Sequence, residues 1–448
     1  MSAKTDAKED REDLSRAQKA GAGNAKEKPW YAAIGPGLIT GGADDDPSGI
    51  GTYSQCGASF GYGQLWLITL SLPLMIAVQE MCGRLGVVTG KGIAAIMKEY
   101  YPKWLLYGTL LLLFGANTLN VYADLNVMAA SAKMLFGLPM ALWLTFFALV
   151  LVLSLIFLPY RVYARLLKFL CLGLLGYIVV GLMPGVHSDW AKIGHNLVVP
   201  AITRNVDYLV AMVAFLGTTI SPYLFFWQAS EEVEEVIAQG EERRAGKRVS
   251  PVSPSEIKNV RTDTVVGMFA SQTVAFFIII ATAGTLFAAH KTDINTAQDA
   301  ALALRPLGPA AFWIFSICMI GTGLLSIPTM SGSVAYAISE TAGWRNGLYR
   351  RFSRAKEFYR AATVVVVIGY VLNFFATLSP IKALVYSAVV NGIAAVPLIA
   401  ILLLVCNNRK IVGEHANGFW SNLLGGATFL LMGGASAILI WALCTGHS

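Results

Sequence analysis

Two short stretches of sequence decide how this chain folds. Residues 35–49 read GPGLITGGADDDPSG, and residues 217–223 read GTTISPY. Each stretch places glycine, polar side chains and a proline in the middle of a long apolar segment. Because proline lacks a backbone donor and clashes with the carbonyl four residues earlier, it breaks or kinks a helix when it lies in the interior. Both stretches therefore predict a helix that is interrupted halfway along its length.

The composition around these stretches indicates a membrane protein with many spans. Of the 448 residues, 55% are hydrophobic and 14% are charged, whereas soluble domains carry about 25% charged residues. Of the 34 basic and 27 acidic residues, 33 lie in residues 1–29, 231–261 and 344–360. The other stretches are long enough for many spanning helices, each of which needs about 20 mostly apolar residues. The composition thus excludes a soluble enzyme, and basic residues that do not cluster on one face argue against a nucleic-acid partner.

Eleven apolar stretches are bounded by charged or turn-forming residues, which predicts eleven spans. Lysine and arginine are enriched in cytoplasmic connections. With the amino terminus inside, the inner segments carry 27 of these residues and the outer segments carry five. We therefore expect a cytoplasmic amino terminus and an extracellular carboxyl terminus. The predicted spans are residues 31–60, 62–88, 104–134, 138–160, 164–184, 207–232, 260–289, 307–338, 361–379, 382–406 and 422–445.

The two interrupted stretches fall in the first and the sixth span. Their positions are five spans apart, an odd number, so the two halves enter the membrane from opposite sides. Irregular backbone at membrane depth is tolerated only where protein buries it or it lines a cavity, and matched broken helices indicate a transporter site. The pattern predicts an all-α membrane protein built on an inverted repeat of five plus five helices.

The residues at the breaks are candidate cation ligands. Pro47 should free the carbonyl of Ala43, and Pro222 should free the carbonyl of Thr218. Asp46 lies at the first break, where a carboxylate is costly unless it faces a cavity, pairs with another group or marks an ion pathway. We expect these groups to surround the transported species.

These residues resemble a known family. The matching residues are 35–37, Asp46, Pro47, Thr52 and Gln55 in the first span, 217–230 in the sixth and, more weakly, 135–139 and 329–333. Together they are similar to the Nramp (natural resistance-associated macrophage protein) family of divalent-metal transporters. The resemblance covers residues 30 to about 410. It implies the leucine-transporter fold, with a divalent cation held between the two breaks and no cofactor.

The chain departs from the motifs of this family at several positions. Where the family has Asp-Pro-Gly-Asn, Asp46 matches the first position, but Gly49 replaces the coordinating Asn. Where the family has Met-Pro-His, Ser221 replaces Met and Tyr223 replaces His. Thr218 falls where the family uses a backbone carbonyl as a ligand.

These replacements change the metal preference that the resemblance implies. Methionine sulfur suits transition metals, whereas carboxylate, carbonyl, hydroxyl and water suit hard ions such as Mg²⁺ and, less exclusively, Mn²⁺. Because Ser221 replaces the soft donor and Gly49 leaves room, the site fits a Mg²⁺ ion that keeps several of its waters. The chain resembles the Nramp-related magnesium transporter branch more than the iron and manganese transporters. We expect Asp46 to supply charge, and the Thr218 carbonyl and Ser221 to supply direct or water-mediated oxygens.

Proton coupling is not expected. In the proton-coupled members, histidines of the sixth span and an acidic pair of the third span are the implied proton carriers. Here Tyr223 and Gln228 stand at the histidine positions, and Val121 and Asp124 stand at the acidic ones. Without a group that titrates near neutral pH along the path, a proton relay is difficult to build. Transport should follow the cation gradient and the membrane potential.

Four further polar residues are weaker candidates for the metal site. Asp45 adjoins Asp46, and Asp124 either lines the aqueous path or pairs with another span. Gln228 follows the second break, and Asn391 in the tenth span is a candidate water or ion contact. By contrast, we expect a solvated loop or helix cap for Asp44 and Asp45, and a solvated helix end for residues 231–235.

The sequence also predicts the organisation of the whole chain. Residues 1–29 should form a disordered cytoplasmic tail, and residues 30–410 should form the transporter core. Spans 1–5 occupy about residues 31–184 of that core, and spans 6–10 occupy about 207–406. Residues 411–448 should form the eleventh span and a short extracellular end. We expect a monomer in the plasma membrane, specifically a bacterial cytoplasmic membrane, with the lipid bilayer and a divalent ion as its partners.

Three other functions are weaker alternatives. A proton-coupled Mn²⁺/Fe²⁺ importer would tolerate the altered site, and competition by millimolar Mg²⁺ would distinguish it. A sodium-coupled amino-acid carrier would bind a carboxylate at its half-helix amino termini, which Asp46 disfavours. An intramembrane aspartyl enzyme would need two carboxylates on one water, and the chain offers Asp46 and Asp124 without a recognisable catalytic motif.

Overall fold

The computed structural model describes residues 35–157, 170–183, 186, 188–203, 205–238, 252–291, 309–375 and 380–445. Within these ranges the chain is helical and contains no strand. The predicted tail (1–29) and the basic residues at 161–168 and 243–251 lie outside the described residues.

Where the structure describes it, the first half of the chain contains eight α-helices. The first helix is short and is followed after two residues by a second one, as expected for an interrupted span. Their bounds are α1 (Pro36–Asp44), α2 (Pro47–Phe60), α3 (Trp66–Thr89), α4 (Ile93–Tyr100), α5 (Lys103–Phe136), α6 (Met140–Phe157), α7 (Leu175–Gly181) and α8 (Trp190–Val198).

The second half has the same plan and ends with an additional long helix. A π-helical turn, Ala283–Phe287, extends the seventh span. The helices are α9 (Val206–Thr219), α10 (Pro222–Ala238), α11 (Pro254–Thr282), α12 (Pro309–Ala342), α13 (Lys356–Leu372), α14 (Pro380–Asn407), α15 (Arg409–Val412) and α16 (Phe419–Thr445).

All eleven predicted spans are helical where the structure describes them. Three of these spans are the broken α1–α2 pair, the partly described fifth span, which contains α7, and the ninth span, which is α13. Among the residues that the structure describes, eight helical segments are long and apolar enough to cross a membrane: Trp66–Thr89, Lys103–Phe136, Met140–Phe157, Val206–Ile237, Pro254–Phe287, Phe312–Ala342, Lys382–Asn407 and Phe419–Thr445.

Both predicted interruptions are confirmed. The chain leaves the helical conformation between Asp44 and Pro47, and again between Thr219 and Pro222. Each proline is the first residue of the helix that follows, where its missing amide costs no intrahelical hydrogen bond. The prolines therefore start a new helix instead of kinking a continuous one.

The helix contacts reproduce the inverted repeat. Helix α1 of the first span packs on α11 of the seventh, and α10 of the sixth span packs on α3 of the second. The two contacts are equivalent in an inverted repeat, in which the first span corresponds to the sixth and the second span to the seventh. Helices α5 and α12, the third and the eighth span, pack on each other at the centre. The residues of both breaks are buried within the helix bundle.

Helix α1 lies backbone against backbone on α11. A Cβ atom on Gly41 would come within 2.2 Å of the Gly267 carbonyl oxygen, so only glycine permits this approach. The carboxylate of Asp263 in α11 accepts hydrogen bonds from the amides of Gly35 at 2.9 Å and Gly37 at 2.6 Å. These amides lie at the start of α1, where backbone N–H groups have no acceptor within the helix. Helix α11 thus caps and positions α1.

Candidate functional site

Asp46 caps the helix that follows the first break. Its backbone is extended, and its Oδ1 accepts a hydrogen bond from the Gly49 amide at 2.6 Å. The residue is only 1% exposed. A carboxylate is stabilised at this position because the amides and the dipole at a helix amino terminus favour negative charge. Asp46 therefore brings a buried carboxyl group to the first break.

The second break presents oxygen atoms. The Ser221 hydroxyl donates a hydrogen bond to the Thr218 carbonyl at 2.7 Å and also lies 3.0 Å from the Gly217 carbonyl. The Thr218 carbonyl was predicted to be freed by Pro222, and a carbonyl oxygen keeps a second lone pair after accepting one hydrogen bond. The Thr218 hydroxyl is buried and has no partner among the described residues.

A hydrogen bond joins the two breaks. The Tyr223 hydroxyl, at the start of α10, donates to the Ala43 carbonyl at the end of α1 over 2.6 Å. This is the carbonyl that Pro47 was predicted to free, and the other half of the protein provides its partner. In addition, the hydroxyls of Tyr53 and Thr219 lie 3.1 Å apart. The structure therefore brings Tyr223 to the site as a link between the half-helices.

Gly49 lies where residues of the two breaks face each other. A Cβ atom at this position would lie 3.1 Å from the Thr218 hydroxyl oxygen, 3.2 Å from the Asp44 carbonyl oxygen and 3.4 Å from Oδ1 of Asp46. Glycine thus allows the helix breaks to face each other closely.

Asp124 adds a second carboxylate. Its Oδ2 accepts a hydrogen bond from the Ser326 hydroxyl in α12 at 3.0 Å, so the expected contact with another span is present. The Ser48 amide in the first turn of α2 is close to the carboxyl groups of both Asp46 and Asp124. Helix α5 thereby brings Asp124 beside the first break. Across the described ranges, no group of three His, Cys, Asp or Glu side chains has the arrangement of a metal site.

The solvated arrangement expected for Asp44 and Asp45 is wrong. Both residues are fully buried, and the Ser271 hydroxyl of α11 lies 2.7 Å from Oδ2 of Asp44 and 3.3 Å from Oδ1 of Asp45. Asp45 does occupy the cap position after α1, but helix α11 covers it. The close glycine packing of α1 on α11 explains this burial, and residue spacing along the chain does not reveal it.

The solvated helix end expected at residues 231–235 is also wrong. Glu231, Glu232 and Glu234 are buried. Glu234 accepts hydrogen bonds from the Tyr336 hydroxyl at 2.6 Å and from the amides of Leu348 at 2.7 Å and Tyr349 at 3.1 Å. The loop after α12 therefore folds over the end of α10.

Gln228 lies further along α10 than the break. Its Oε1 accepts a hydrogen bond from the Thr40 hydroxyl of α1, and its Nε2 donates to Glu232 at 2.9 Å. It connects helices α1 and α10 of the two broken spans, more than one turn away from Tyr223.

Asn391 is fully buried in α14, and neither its amide oxygen nor its amide nitrogen has a partner among the described residues. The same is true of Asn120 in α5, which the sequence reasoning missed. With Asn117 and Asp124 it forms one face of α5, because side chains three, four and seven residues apart lie together on a helix. This spacing is the feature of the sequence that could have identified Asn120. Buried amides of this kind require water or an ion as a partner.

Comparison with known proteins identifies the family. Residues 37–442 match the family model described as natural resistance-associated macrophage protein-like. The chain belongs to the Nramp family.

Curated Nramp relatives cover nearly all of the chain. The divalent metal cation transporter MntH of Burkholderia ambifaria is 25% identical over 414 residues, which are 91% of this chain and 88% of the relative. MntH of Yersinia pestis is 26% identical over 431 residues, 92% of this chain and 95% of the relative.

Solved structures establish the fold of this Nramp chain. The manganese transporter of Eremococcus coleocola matches with a TM-score of 0.68 at 18% identity, over 92% of this chain and 87% of that one. Mhp1, a nucleobase-cation-symport-1 family transporter, matches with a TM-score of 0.58 at 14% identity, over 92% and 91%. The predicted leucine-transporter fold is confirmed.

Proposed function

We propose that this Nramp protein transports hydrated divalent cations, chiefly Mg²⁺ and also Mn²⁺, across a membrane by alternating access. The relatives named above are divalent metal cation and manganese transporters, and the chain shares their family and fold. The observation that carries the proposal is that oxygens of both breaks face the same space beside Gly49, where a Cβ atom would lie 3.4 Å from Oδ1 of Asp46 and 3.1 Å from the Thr218 hydroxyl oxygen.

The chemistry of the donors supports Mg²⁺. Asp46 offers carboxylate oxygen, Thr218 offers carbonyl oxygen, and Ser221 offers a hydroxyl where relatives of the family carry methionine. An oxygen donor set suits a hard cation. Mg²⁺ dehydrates reluctantly, so a site with few protein oxygens and a glycine where the two breaks face each other suits an ion that keeps waters. The amide of Asn391, for which the described ranges provide no partner, is our candidate for contacting those waters.

We propose that transport is uncoupled from protons. Tyr223 and Gln228 replace the histidines of the proton-coupled members, and both are committed to hydrogen bonds with Ala43 and Glu232 respectively. A cation gradient and the membrane potential would then drive the ion, since each elementary charge that crosses gains about 2.3 kcal/mol per 100 mV.

Uptake into proteoliposomes tests the proposal. A trapped fluorescent indicator reports Mg²⁺ entry under an inward gradient and an inside-negative potential. We expect Asp46→Ala to abolish uptake and Asp207→Asn, at an exposed aspartate, to preserve it. Millimolar Mg²⁺ should compete with Mn²⁺ uptake. Uptake that survives Asp46→Ala would refute the site assignment, and failure of Mg²⁺ to compete would refute the selectivity.

A proton-coupled Mn²⁺/Fe²⁺ importer is the second candidate. One observation favours it. The Ser48 amide lies close to the carboxyl groups of both Asp46 and Asp124, so two acidic residues adjoin the proposed ion path. A pH-sensitive dye inside the same vesicles separates the candidates. Metal-dependent acidification of the lumen would establish coupling, whereas Mg²⁺ entry at constant lumenal pH is expected for uncoupled transport.

We also propose that the amino terminus is cytoplasmic and the carboxyl terminus extracellular. The support is the excess of lysine and arginine in the predicted inner segments. Labelling of a terminal cysteine by an impermeant reagent in intact cells would test each end. A labelled amino terminus would reverse the orientation.

A further inference from the structure

A groove lies on the surface of the helix bundle near the end of α14. Its volume is about 600 Å³, and its apolar lining consists of Ala400, Leu403 and Leu404 of α14 and Phe429 of α16. Ligand pockets in proteins usually occupy about 300–1,000 Å³. Both helices are long and apolar enough to cross a membrane. Acyl chains of the bilayer are therefore the apolar molecules that this lining meets.

One end of the groove is polar, and basic residues follow it directly in the sequence. Asn407 and Asn408 continue the lining at the end of α14, and the Tyr101 hydroxyl lies close to the Asn408 side chain. Oδ1 of Asn408 accepts a hydrogen bond from the Lys410 amide at 3.0 Å. Arg409 and Lys410 are both exposed. Apolar, amide and cationic groups thus succeed one another along α14 and into α15.

A hydrogen-bond network holds the polar end in place. The side chains of Asn407 and Asn422 exchange two hydrogen bonds, at 2.7 and 2.9 Å. Nδ2 of Asn417 donates to Asn422 at 3.0 Å, and the buried Arg84 of α3 donates to Oδ1 of Asn417 at 2.6 Å. The polar end is thereby joined to the second span as well as to the tenth and the eleventh.

Aromatic residues indicate the level of the groove in the bilayer. Trp104 at the start of α5 is 74% exposed, and Phe419 and Trp420 at the start of α16 are 73% and 70% exposed. Tyr101, which lines the groove, lies three residues before Trp104. Aromatic side chains at the ends of spans are enriched at the membrane–water interface. The polar end of the groove therefore lies at the level of the lipid headgroups, and its apolar lining extends toward the acyl chains.

We propose that this groove binds an anionic phospholipid. An acyl chain packs along the apolar lining, and the phosphate headgroup lies at Asn407, Asn408 and the basic pair Arg409 and Lys410. Basic pockets between spanning helices on the cytoplasmic side bind anionic headgroups, and the sequence predicts that this side is cytoplasmic.

Other occupants match the groove less well. A soluble anion would leave the apolar lining empty, and a lipid without net charge would gain little from Arg409 and Lys410. A second copy of this chain that presented the same groove would bring like charges together. The proposal goes beyond cation transport, and it requires only that the chain lies in a bilayer.

Native mass spectrometry of the full-length protein in detergent tests the proposal. Dioleoyl-phosphatidylglycerol is the anionic probe and dioleoyl-phosphatidylcholine the neutral one. We expect the parent to bind the first phosphatidylglycerol more tightly than phosphatidylcholine. Because a basic residue near an anionic surface contributes about a 5-fold factor in affinity, Arg409→Gln/Lys410→Gln should weaken phosphatidylglycerol binding about 30-fold and leave phosphatidylcholine binding unchanged. Ala400→Phe, which fills the groove, should weaken binding of both lipids.

Lys356→Gln/Arg360→Gln is the matched control, because it removes two exposed positive charges at the start of α13. This variant should bind phosphatidylglycerol like the parent, and melting temperatures show whether each variant is folded. Equal affinity of the parent for the two lipids, or an equal loss of phosphatidylglycerol binding in the control, would overturn the headgroup site.

Two further outcomes concern the groove itself. Parent-like lipid binding by folded Ala400→Phe would overturn its role, as would displacement of the lipid by an equal concentration of glycerol 3-phosphate, which has no acyl chain. A dimer of the parent that Ala400→Phe abolishes would instead assign the groove to a second copy of the chain.

Discussion

The close approach at Gly49 gives a quantitative prediction. In Gly49→Ala, the new methyl group would lie 3.1 Å from the Thr218 hydroxyl oxygen and 3.2 Å from the Asp44 carbonyl oxygen. Both distances are shorter than nine in ten Cβ contacts in real proteins, so a neighbouring atom must shift by a few tenths of an ångström. Overpacking of this kind costs about 1–3 kcal/mol. If the cost falls on the conformation in which the two breaks meet, uptake should fall about 5- to 150-fold, since 1.4 kcal/mol corresponds to a factor of ten.

A double-mutant cycle isolates this contact. Thr218→Ala removes the hydroxyl that the methyl group would meet and leaves the Thr218 carbonyl in place. We therefore expect Gly49→Ala to reduce uptake less in the Thr218→Ala background than in the parent, which corresponds to a favourable coupling energy between the two changes. The assay is initial Mg²⁺ uptake in proteoliposomes at equal protein content.

Gly115→Ala is the matched control. Gly115 lies in α5, and a Cβ atom there would meet nothing within 4 Å. Its alanine variant should transport like the parent. The packing argument would be refuted if Gly49→Ala behaved like Gly115→Ala, or if the effects of Gly49→Ala and Thr218→Ala on the activation free energy were simply additive.

Three further predictions concern contacts around the site. Tyr223→Phe leaves the buried Ala43 carbonyl without its hydrogen-bond donor, at a cost of about 1–3 kcal/mol. The melting temperature of the protein should therefore fall, and an unchanged melting temperature would contradict the hydrogen bond between the two breaks. Gly41→Ala would force a methyl group to within 2.2 Å of the Gly267 carbonyl oxygen; we expect loss of the monodisperse peak in size-exclusion chromatography, and normal elution would speak against the packing of α1 on α11. Glu234→Gln exchanges an acceptor of three hydrogen bonds for an amide with one oxygen; protease cleavage of the loop after α12 should accelerate, whereas an unchanged rate would show that this residue does not hold the loop.

The sequence was sufficient to predict the broken helices because proline acts locally. Pro47 and Pro222 remove a backbone donor whatever surrounds them, and their places in the first and sixth spans then imply the inverted repeat. The same reasoning identified Asp46, since a carboxylate beside a break at membrane depth requires a specific environment. These inferences depend on residues within a few positions of each other.

The surroundings of the neighbouring acids depend on contacts between distant segments. Asp44 and Asp45 are buried because α11, more than 200 residues later, lies on α1 at glycine contact distance. Glu234 is buried because the loop after α12 covers it. Asn120 is a third case. Residue spacing places it on the face of α5 that carries Asp124, but its lack of a partner among the described residues depends on how α5 packs.

The contact between α1 and α11 constrains how the transporter can move. The Asp263 carboxylate binds the amides at the start of α1. At Gly41 the backbones of α1 and α11 are in direct contact, which leaves no gap for the two helices to slide past each other. If α1 swung away alone, two amides and a buried carboxylate would lose their partners together. We therefore expect α1 and α11 to move together, so that a displacement of the seventh span also displaces α1 of the first span. A cross-link between α1 and α11 should accordingly leave transport intact.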